Sequence, residues 1–162
     1  MNKHNTKHLL FAAILILLAL SVLAGCKTKK NVMKDEKFLD ILISGISETA
    51  SFYNVSINEI EMEIIAVTAS DNTIRIALNR CERCYKFGKG YIQDGGDLIC
   101  LQCSMRFNID KIGIEKGGCA PISIPAEKRI ITEDMIKISH EVLKTYIQWF
   151  LTPNPEQTEK TD

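Results

Sequence analysis

The sequence lacks an excess of charge of either sign and contains very little histidine. Its 20 lysine and arginine residues equal its 20 aspartate and glutamate residues, which argues against a nucleic-acid-binding surface, because such surfaces concentrate basic side chains. His140 is the only histidine beyond residue 8, and we expect an ordinary exposed or core side chain there rather than a metal ligand. No residues typical of a substrate-transforming active site are evident, so we do not expect an enzyme.

A membrane-spanning apolar run is also missing, although the chain begins with a shorter one. Residues 9–23 are apolar but fall short of the about 20 residues that a helical span needs. They follow two lysines and lead into Leu-Ala-Gly-Cys, which ends at Cys26; this order is typical of a bacterial lipoprotein signal peptide. We predict that residues 1–25 are removed and that Cys26 receives a diacylglycerol and a further acyl chain such as palmitate. The alternative is an uncleaved N-terminal anchor helix.

These features predict a protein that is lipid-anchored in the cell membrane and faces away from the cytoplasm. Residues 26–36 contain four lysines and are expected to form a solvated tether. Residues 37–152 are expected to form one folded domain, and the polar residues 153–162 a disordered tail. The signal segment has no twin arginine, so we expect the chain to be exported unfolded and any metal centre to form outside the cytosol.

Strand patterns dominate the first half of the predicted domain. Apolar segments predict strands over residues 38–46, 51–57 and 60–69, and a fourth strand starts at Ile74 and leads into Cys81. The third strand alternates apolar residues with two glutamates, which predicts one buried and one solvent-facing surface. The cysteine-rich segment is therefore expected to extend from the end of an antiparallel sheet.

The C-terminal part carries a different pattern. Short strands are expected at residues 122–124 and 129–131. Residues 135–150 then place apolar side chains at helical spacing, after Thr132 as a candidate N-cap. This pattern predicts a core-facing C-terminal helix, and the whole domain is predicted to be α+β.

Two Cys-x-x-Cys pairs form the most informative motif. The first pair is Cys81 and Cys84, and the second is Cys100 and Cys103. Fifteen residues separate the pairs, a spacing in the range of four-thiolate metal sites. A hairpin of about fifteen residues would bring the pairs together around one ion. Tetrahedral sulfur ligation suits zinc, a single iron or an iron–sulfur cluster. Seven of the 9 glycines lie between Cys84 and Cys119, where tight turns around a fixed centre need them.

Other uses of the thiols compete with metal binding. Exported thiols tend to form disulfides, but five cysteines remain once Cys26 is lipidated, and an odd number suits a pure disulfide scaffold poorly. A redox-active pair is usually placed at a helix N-terminus, whereas Cys84 precedes a glycine-rich stretch that is not a helix start. Covalently attached haem is excluded, because Tyr85 and Ser104 stand where the haem motif requires histidine.

With these motifs in hand, residues 51–125 resemble the FtrD-like family of membrane iron–sulfur containing proteins. The resemblance is carried by the order of motifs along the chain: Thr-Ile-Arg before the first pair, Cys81-x-x-Cys84-Tyr85, Gly88-x-Gly90-Tyr91, Gln93, Gly95, Cys100-x-x-Cys103, Arg106-Phe107, Ile112-Gly113 and Gly117-Gly118-Cys119. The chain departs from the family in having Ala120-Pro121 where Asn-Pro is common, and in lacking the several membrane spans of many members.

The resemblance implies a function as well as a ligand set. It adds Cys119 to the predicted metal ligands and implies an iron–sulfur centre that handles electrons in a bacterial iron-uptake system, beside a membrane iron permease or an iron-oxidising partner. Because the centre is expected to form outside the cytosol, mononuclear iron remains open alongside a cluster. The alternatives are a non-redox zinc-ribbon binding module and a thiol–disulfide oxidoreductase.

Overall fold

Short antiparallel strands make up most of the computed structural model, which describes residues 37–151. In chain order the strands are β1 (Phe38–Leu42), β2 (Ser51–Ile57), β3 (Ile60–Thr68), β4 (Ile74–Cys81), β5 (Tyr91–Asp94), β6 (Asp97–Cys100), β7 (Arg106–Asn108), β8 (Pro121–Ser123), β9 (Ile130–Ile131) and β10 (Met135–Ser139). One α-helix is described, α1 (His140–Lys144), with 3-10 helices at Ile43–Gly45, Tyr85–Phe87, Ile109–Lys111, Ala126–Lys128 and Ile147–Trp149. The predicted α+β class, with antiparallel sheets and a C-terminal helix, is confirmed.

A four-stranded sheet in the order β2-β3-β4-β8 forms the middle of the fold. A two-residue turn joins β2 to β3, and both of its residues, Asn58 and Glu59, have positive φ, at 50° and 67°, as a hairpin loop of this length favours. The polar turn between β3 and β4 is held by the carboxylate of Asp71, which accepts hydrogen bonds from the backbone N–H of Thr73 at 2.9 Å and from its hydroxyl at 2.5 Å. Both turns lie in the gaps between the predicted strands.

The two faces of this central sheet bury different sets of side chains. Ile64 and Ala66 of β3 belong to one apolar core, while Ile65 and Val67 belong to the other, as the alternation of side chains along a strand requires. The predicted solvent-facing surface of β3 is therefore wrong beyond Glu63. Burial of both faces explains why this strand becomes continuously apolar.

The first core lies between the central sheet and a three-stranded sheet in the order β1-β10-β9. It is filled by large aliphatic side chains from both sheets and from α1; those that are almost wholly inaccessible include Ile41, Ile64, Leu78, Ile136, Ile138 and Leu143. Each such side chain contributes about 1.5–3 kcal/mol by its removal from water. This core carries most of the packing and contains no cysteine.

The C-terminal helix is much shorter than its apolar pattern predicts. Met135–Ser139 is a strand that pairs with β1, and its burial alternates residue by residue. Thr132 does not cap a helix: its hydroxyl accepts the N–H of Met135 at 3.1 Å and closes the turn between β9 and β10. The helix begins only after Ser139, whose hydroxyl accepts the N–H of Val142 at 3.2 Å. The predicted first strand is also shorter, since it ends at Leu42.

The second face of the central sheet is covered by the cysteine-rich sheet, which has the order β5-β6-β7. Gly95 and Gly96 connect β5 to β6 as a two-residue loop, in which Gly95 has φ +57°. Gln93 ties this sheet to the segment before β2, because its side chain accepts the N–H of Ala50 at 2.6 Å and donates to the carbonyl of Glu48 at 2.8 Å. The predicted hairpin between the two cysteine pairs is thus confirmed.

Candidate metal centre

Each Cys-x-x-Cys pair begins on the last residue of a strand and continues into a tight turn. Cys81 ends β4, and the N–H of Cys84 donates to the carbonyl of Cys81 at 3.2 Å. Cys100 ends β6, and the N–H of Ser104 donates to the carbonyl of Cys100 at 2.8 Å. Ser104 has a φ of 59°, a conformation that non-glycine residues seldom adopt. These turns direct both sulfur atoms of each pair toward one region.

The fifth cysteine is held against the first pair by the loop that precedes β8. The N–H of Glu82 donates to the carbonyl of Ala120 at 3.0 Å, and the carboxylate of Glu82 accepts the N–H of Gly117 at 2.7 Å. Pairing of β8 with β4 places Pro121 opposite Cys81. Cys119 therefore approaches the first pair because of backbone contacts on both sides of it.

The five sulfur atoms lie in two overlapping groups of three. Cys81, Cys84 and Cys100 have sulfur atoms within 4.8 Å of one another, and so do Cys84, Cys103 and Cys119. The first group is buried, with exposed fractions of 2, 8 and 1 %. In the second group Cys103 is exposed and Cys119 is half-buried, and their sulfur atoms are 3.0 Å apart. All five cysteines are free thiols.

The chemistry of this donor set suits a soft, thiophilic metal. Within residues 37–151, no histidine or carboxylate joins either group, so sulfur is the ligand atom throughout. Thiolate ligation of this kind is shared by zinc sites, mononuclear iron sites and iron–sulfur clusters. The structure brings together every cysteine that the sequence analysis selects as a ligand, and their binding of a metal stays a prediction.

Burial disfavours the ionised form of three of these thiols, those of Cys84, Cys100 and Cys119. Burial raises the pKa of Cys84 to about 12, with further contributions from the neighbouring thiols of Cys103 and Cys81. Burial likewise raises the pKa of Cys100 and of Cys119. A hydrogen bond with Cys119 and another with the N–H of Met105 lower the pKa of Cys103 to about 7. A metal ion that binds here displaces the thiol protons and offsets the repulsion between the resulting thiolates.

One polar network beside the thiols has no counterpart in the sequence analysis. The side chain of Asn79, which is buried, accepts the N–H of Tyr91 at 2.6 Å and donates to the carboxylate of Glu63. The hydroxyl of buried Tyr91 donates to the carbonyl of Cys119 at 2.7 Å. The network joins β4, β5 and the Cys119 loop. Alternation along β4 places Asn79 on the same face as Cys81, which is the only sequence signal that points to it.

Tyr91→Phe is expected to loosen the Cys119 loop. Removing the hydroxyl leaves the carbonyl of Cys119 without its side-chain donor, which costs about 1–3 kcal/mol for a buried group. Loss of a partner that orients a ligand usually weakens metal binding about 10–100-fold. The measurements are the free energy of unfolding from urea titration of the metal-free reduced protein and metal retention against a competing chelator.

Tyr85→Phe is the matched control, because the ring of Tyr85 packs edge-on against Trp149 at 4.8 Å between centroids. Its hydroxyl makes no hydrogen bond to any residue in the described range. Equal metal retention in the two phenylalanine variants would contradict a positioning role for Tyr91.

Two sequence predictions concern the membrane. Cys26 and the predicted lipid anchor lie outside the described residues, as do the predicted signal peptide and polar tail. Between residues 37 and 151, none of the helices has the length and apolar character that crossing a bilayer requires.

Comparison with known protein families identifies a match to this chain. The sequence model of a family described as membrane iron-sulfur containing protein FtrD-like matches residues 46–150. This range contains all five cysteines of the two sulfur groups, and the match confirms the resemblance seen in the motifs. No curated protein and no solved structure matches the chain.

Proposed function

Because the chain belongs to the FtrD-like family of membrane iron–sulfur containing proteins, we propose that it transfers electrons within a bacterial iron-uptake system. In this proposal it is held by lipid on Cys26 at the extracytoplasmic face of the cell membrane. Its role is to pass electrons to a partner and not to transform a substrate. An iron–sulfur or iron–thiolate centre bound by the five cysteines supplies reversible one-electron chemistry.

The observation that carries the proposal is a set of thiols that runs from a dry interior to the surface. Cys81 and Cys100 lie at strand ends among the apolar side chains of the second core, including Leu98, Ile109 and Ile112. Cys103 reaches solvent. Low polarity around the inner sulfur atoms limits access of water, and this tunes a centre's reduction potential. The exposed sulfur gives a partner a short path to the centre.

The surface beside the first cysteine pair favours an acidic partner. Arg83, Lys86 and Lys89 are exposed, and none of them makes an ion pair with a described residue. Phe87 lies between them with an exposed fraction of 61 %. Exposed basic side chains around an apolar residue steer and then hold a protein of opposite charge. We propose that this partner is the iron permease or an iron-oxidising protein of the same system.

A zinc-binding module is the second candidate function, and one observation favours it. Both Cys-x-x-Cys pairs occupy tight turns whose backbone hydrogen bonds fix the sulfur positions, as structural zinc sites require. In that case the metal stabilises the cysteine-rich sheet and the basic loop binds a partner without electron transfer. The short distance between the sulfur atoms of Cys103 and Cys119 is the observation that favours a thiol–disulfide exchange function.

Metal analysis of the full chain, purified in detergent without air, separates these functions. We expect iron, visible absorption from sulfur-to-iron charge transfer, and reversible loss of that absorption on addition and removal of one electron per centre. The same protein reconstituted with zinc is the control and should be colourless. Zinc as the only metal would replace the proposal with the binding module. Metal-free protein with stable disulfides among these cysteines would refute any metal function.

A further inference from the structure

Both sulfur groups contain Cys84, and we propose that its thiolate bridges two metal ions. One ion is bound by Cys81, Cys84 and Cys100 in an inner subsite; the second is bound by Cys84, Cys103 and Cys119 in an outer subsite. The inference rests on the proposed function only in requiring that the thiols bind metal. It adds the number of ions, the division of ligands and a distinct role for each subsite.

The grouping of the sulfur atoms supports two ions over one. Within the described residues the sulfur atoms are grouped in threes, each within 4.8 Å, and not in one set of four or five. Tetrahedral ligation with metal–sulfur bonds of about 2.3 Å places ligand atoms about 3.8 Å apart. Each group of three lies within 4.8 Å, and the sulfur atoms of Cys103 and Cys119, now 3.0 Å apart, must separate by about 0.8 Å to bind the outer ion. A single four-coordinate ion leaves a fifth thiol unused. Two ions that share Cys84 use all five.

Cys84 is placed to serve both subsites. Cys84 belongs to the turn after β4. Its N–H donates to the carbonyl of Cys81, and its carbonyl accepts the N–H of Phe87 at 3.0 Å. Its sulfur atom lies within 4.8 Å of those of Cys81 and Cys100 and also within 4.8 Å of those of Cys103 and Cys119. A thiolate retains lone pairs after binding one metal, so the single sulfur atom of Cys84 can bind both ions.

The two subsites differ in their access to solvent. Every ligand of the inner subsite is buried, whereas Cys103 of the outer subsite is exposed and Cys119 is half-buried. Three protein thiolates leave a fourth position at each ion, and metal sites with an open position exchange ligands more readily than closed ones. The outer ion is therefore the one that a small molecule or a partner can reach, and the inner ion is the one retained.

Titration of the reduced, metal-free full chain with Co²⁺ in the absence of air tests the bridge. We expect two Co²⁺ ions per chain, each with thiolate-to-cobalt absorption. The electron paramagnetic resonance signal should rise with the first ion and fall with the second, because a thiolate bridge couples the two spins antiferromagnetically. Two separate sites would instead give a signal that doubles.

Substitutions assign the subsites. The Cys103→Ser/Cys119→Ser protein is expected to bind one Co²⁺ ion whose resonance signal does not fall with excess cobalt. Cys26→Ser, outside both groups, should leave the count at two. Cys84→Ser should abolish the coupled state; if that variant does not fold, the Cys103→Ser/Cys119→Ser protein still decides the number of ions.

The outcomes distinguish this inference from the proposed function. A wild-type protein that saturates with one Co²⁺ ion, or that keeps two uncoupled ions, overturns the bridge while electron transfer by one centre stands. A wild-type protein that shows two coupled Co²⁺ ions but is isolated with no iron and has no reversible one-electron chemistry supports the bridge and refutes the proposed function.

Discussion

Cys100→Ser should release the bound metal and destabilise the metal-free fold, whereas Cys103→Ser should leave the metal-free fold almost unchanged. Cys100 is buried at the end of β6, where it lies opposite Tyr91 in the sheet. Loss of an outer-shell partner already weakens metal sites about 10–100-fold, so loss of a ligand is expected to exceed about 100-fold. A buried hydroxyl without a new partner adds a cost of about 1–3 kcal/mol.

Cys103→Ser is the matched control, because it makes the same change of sulfur to oxygen at an exposed position. Substitutions at exposed positions usually change stability by less than about 0.5 kcal/mol. The measurements are metal per chain and the free energy of unfolding from urea titration, each with and without metal. Equal destabilisation by the two serine variants in the absence of metal would contradict the buried and exposed placement on which the inner and outer subsites depend.

Gly90→Ala is expected to lower the free energy of unfolding by about 2–5 kcal/mol, the second large effect. A Cβ built on Gly90 meets three atoms of the Asn79 side chain at 2.6 Å, so Asn79 must move. Movement of Asn79 breaks its hydrogen bond to the N–H of Tyr91 and leaves that buried donor unpaired, at about 1–3 kcal/mol. The positive φ of Gly90 adds about 1–2 kcal/mol for any residue with a Cβ.

Gly95→Ala separates the backbone cost from the steric one. Gly95 has the same φ of +57° as Gly90, but a Cβ there meets nothing within 4 Å. Only the conformational cost of about 1–2 kcal/mol is expected. Urea titration of both variants, metal-free and reduced, gives the difference. Equal losses of stability would show that Asn79 does not hold β5 against β4.

The central strands and their turns follow from the sequence because their signals are local. Asn58-Glu59 and Asp71 mark turns through the conformations their backbones and side chains favour, and period-2 burial is visible in β3 as far as Glu63. The spacing of the two Cys-x-x-Cys pairs likewise predicts a thiolate site from the sequence alone. The strand that carries Cys81 is therefore predicted, whereas the sequence analysis assigns no strand that ends at Cys100.

The C-terminal helix is confirmed, but its predicted first residues form the strand Met135–Ser139, because two periods fit the same residues. Ile138 and Val142 are four apart, as on a helix face, but Ile136 and Ile138 are two apart, as on a strand face. Pairing with β1 decides between these periods, and that partner lies almost a hundred residues earlier in the chain, at Phe38–Leu42. A single stretch of sequence does not contain this contact.

The division of the thiols was beyond the sequence for the same reason. Spacing relates Cys81 to Cys84 and Cys100 to Cys103, whereas the structure groups Cys84 with Cys103 and Cys119. The side-chain contacts of Asn79 and Tyr91 are also long-range. Their residue types carry no strong motif, so only the packed sheets reveal them.

Burial of both faces makes β3 prone to a shift in its pairing register. In a strand with one solvent-facing side, a shift of the pairing by one residue exposes the apolar side chains to water, which makes the shifted register unfavourable. Residues 64–67 are apolar toward both cores, so within this stretch a slipped β3 still places apolar side chains on both faces. The register of β3 then depends on the tight turns at Asn58-Glu59 and Asp71. A mutation that loosens these turns would let β3 and β4 shift by one residue together. The thiol of Cys81 would then face the first core, which contains no other cysteine.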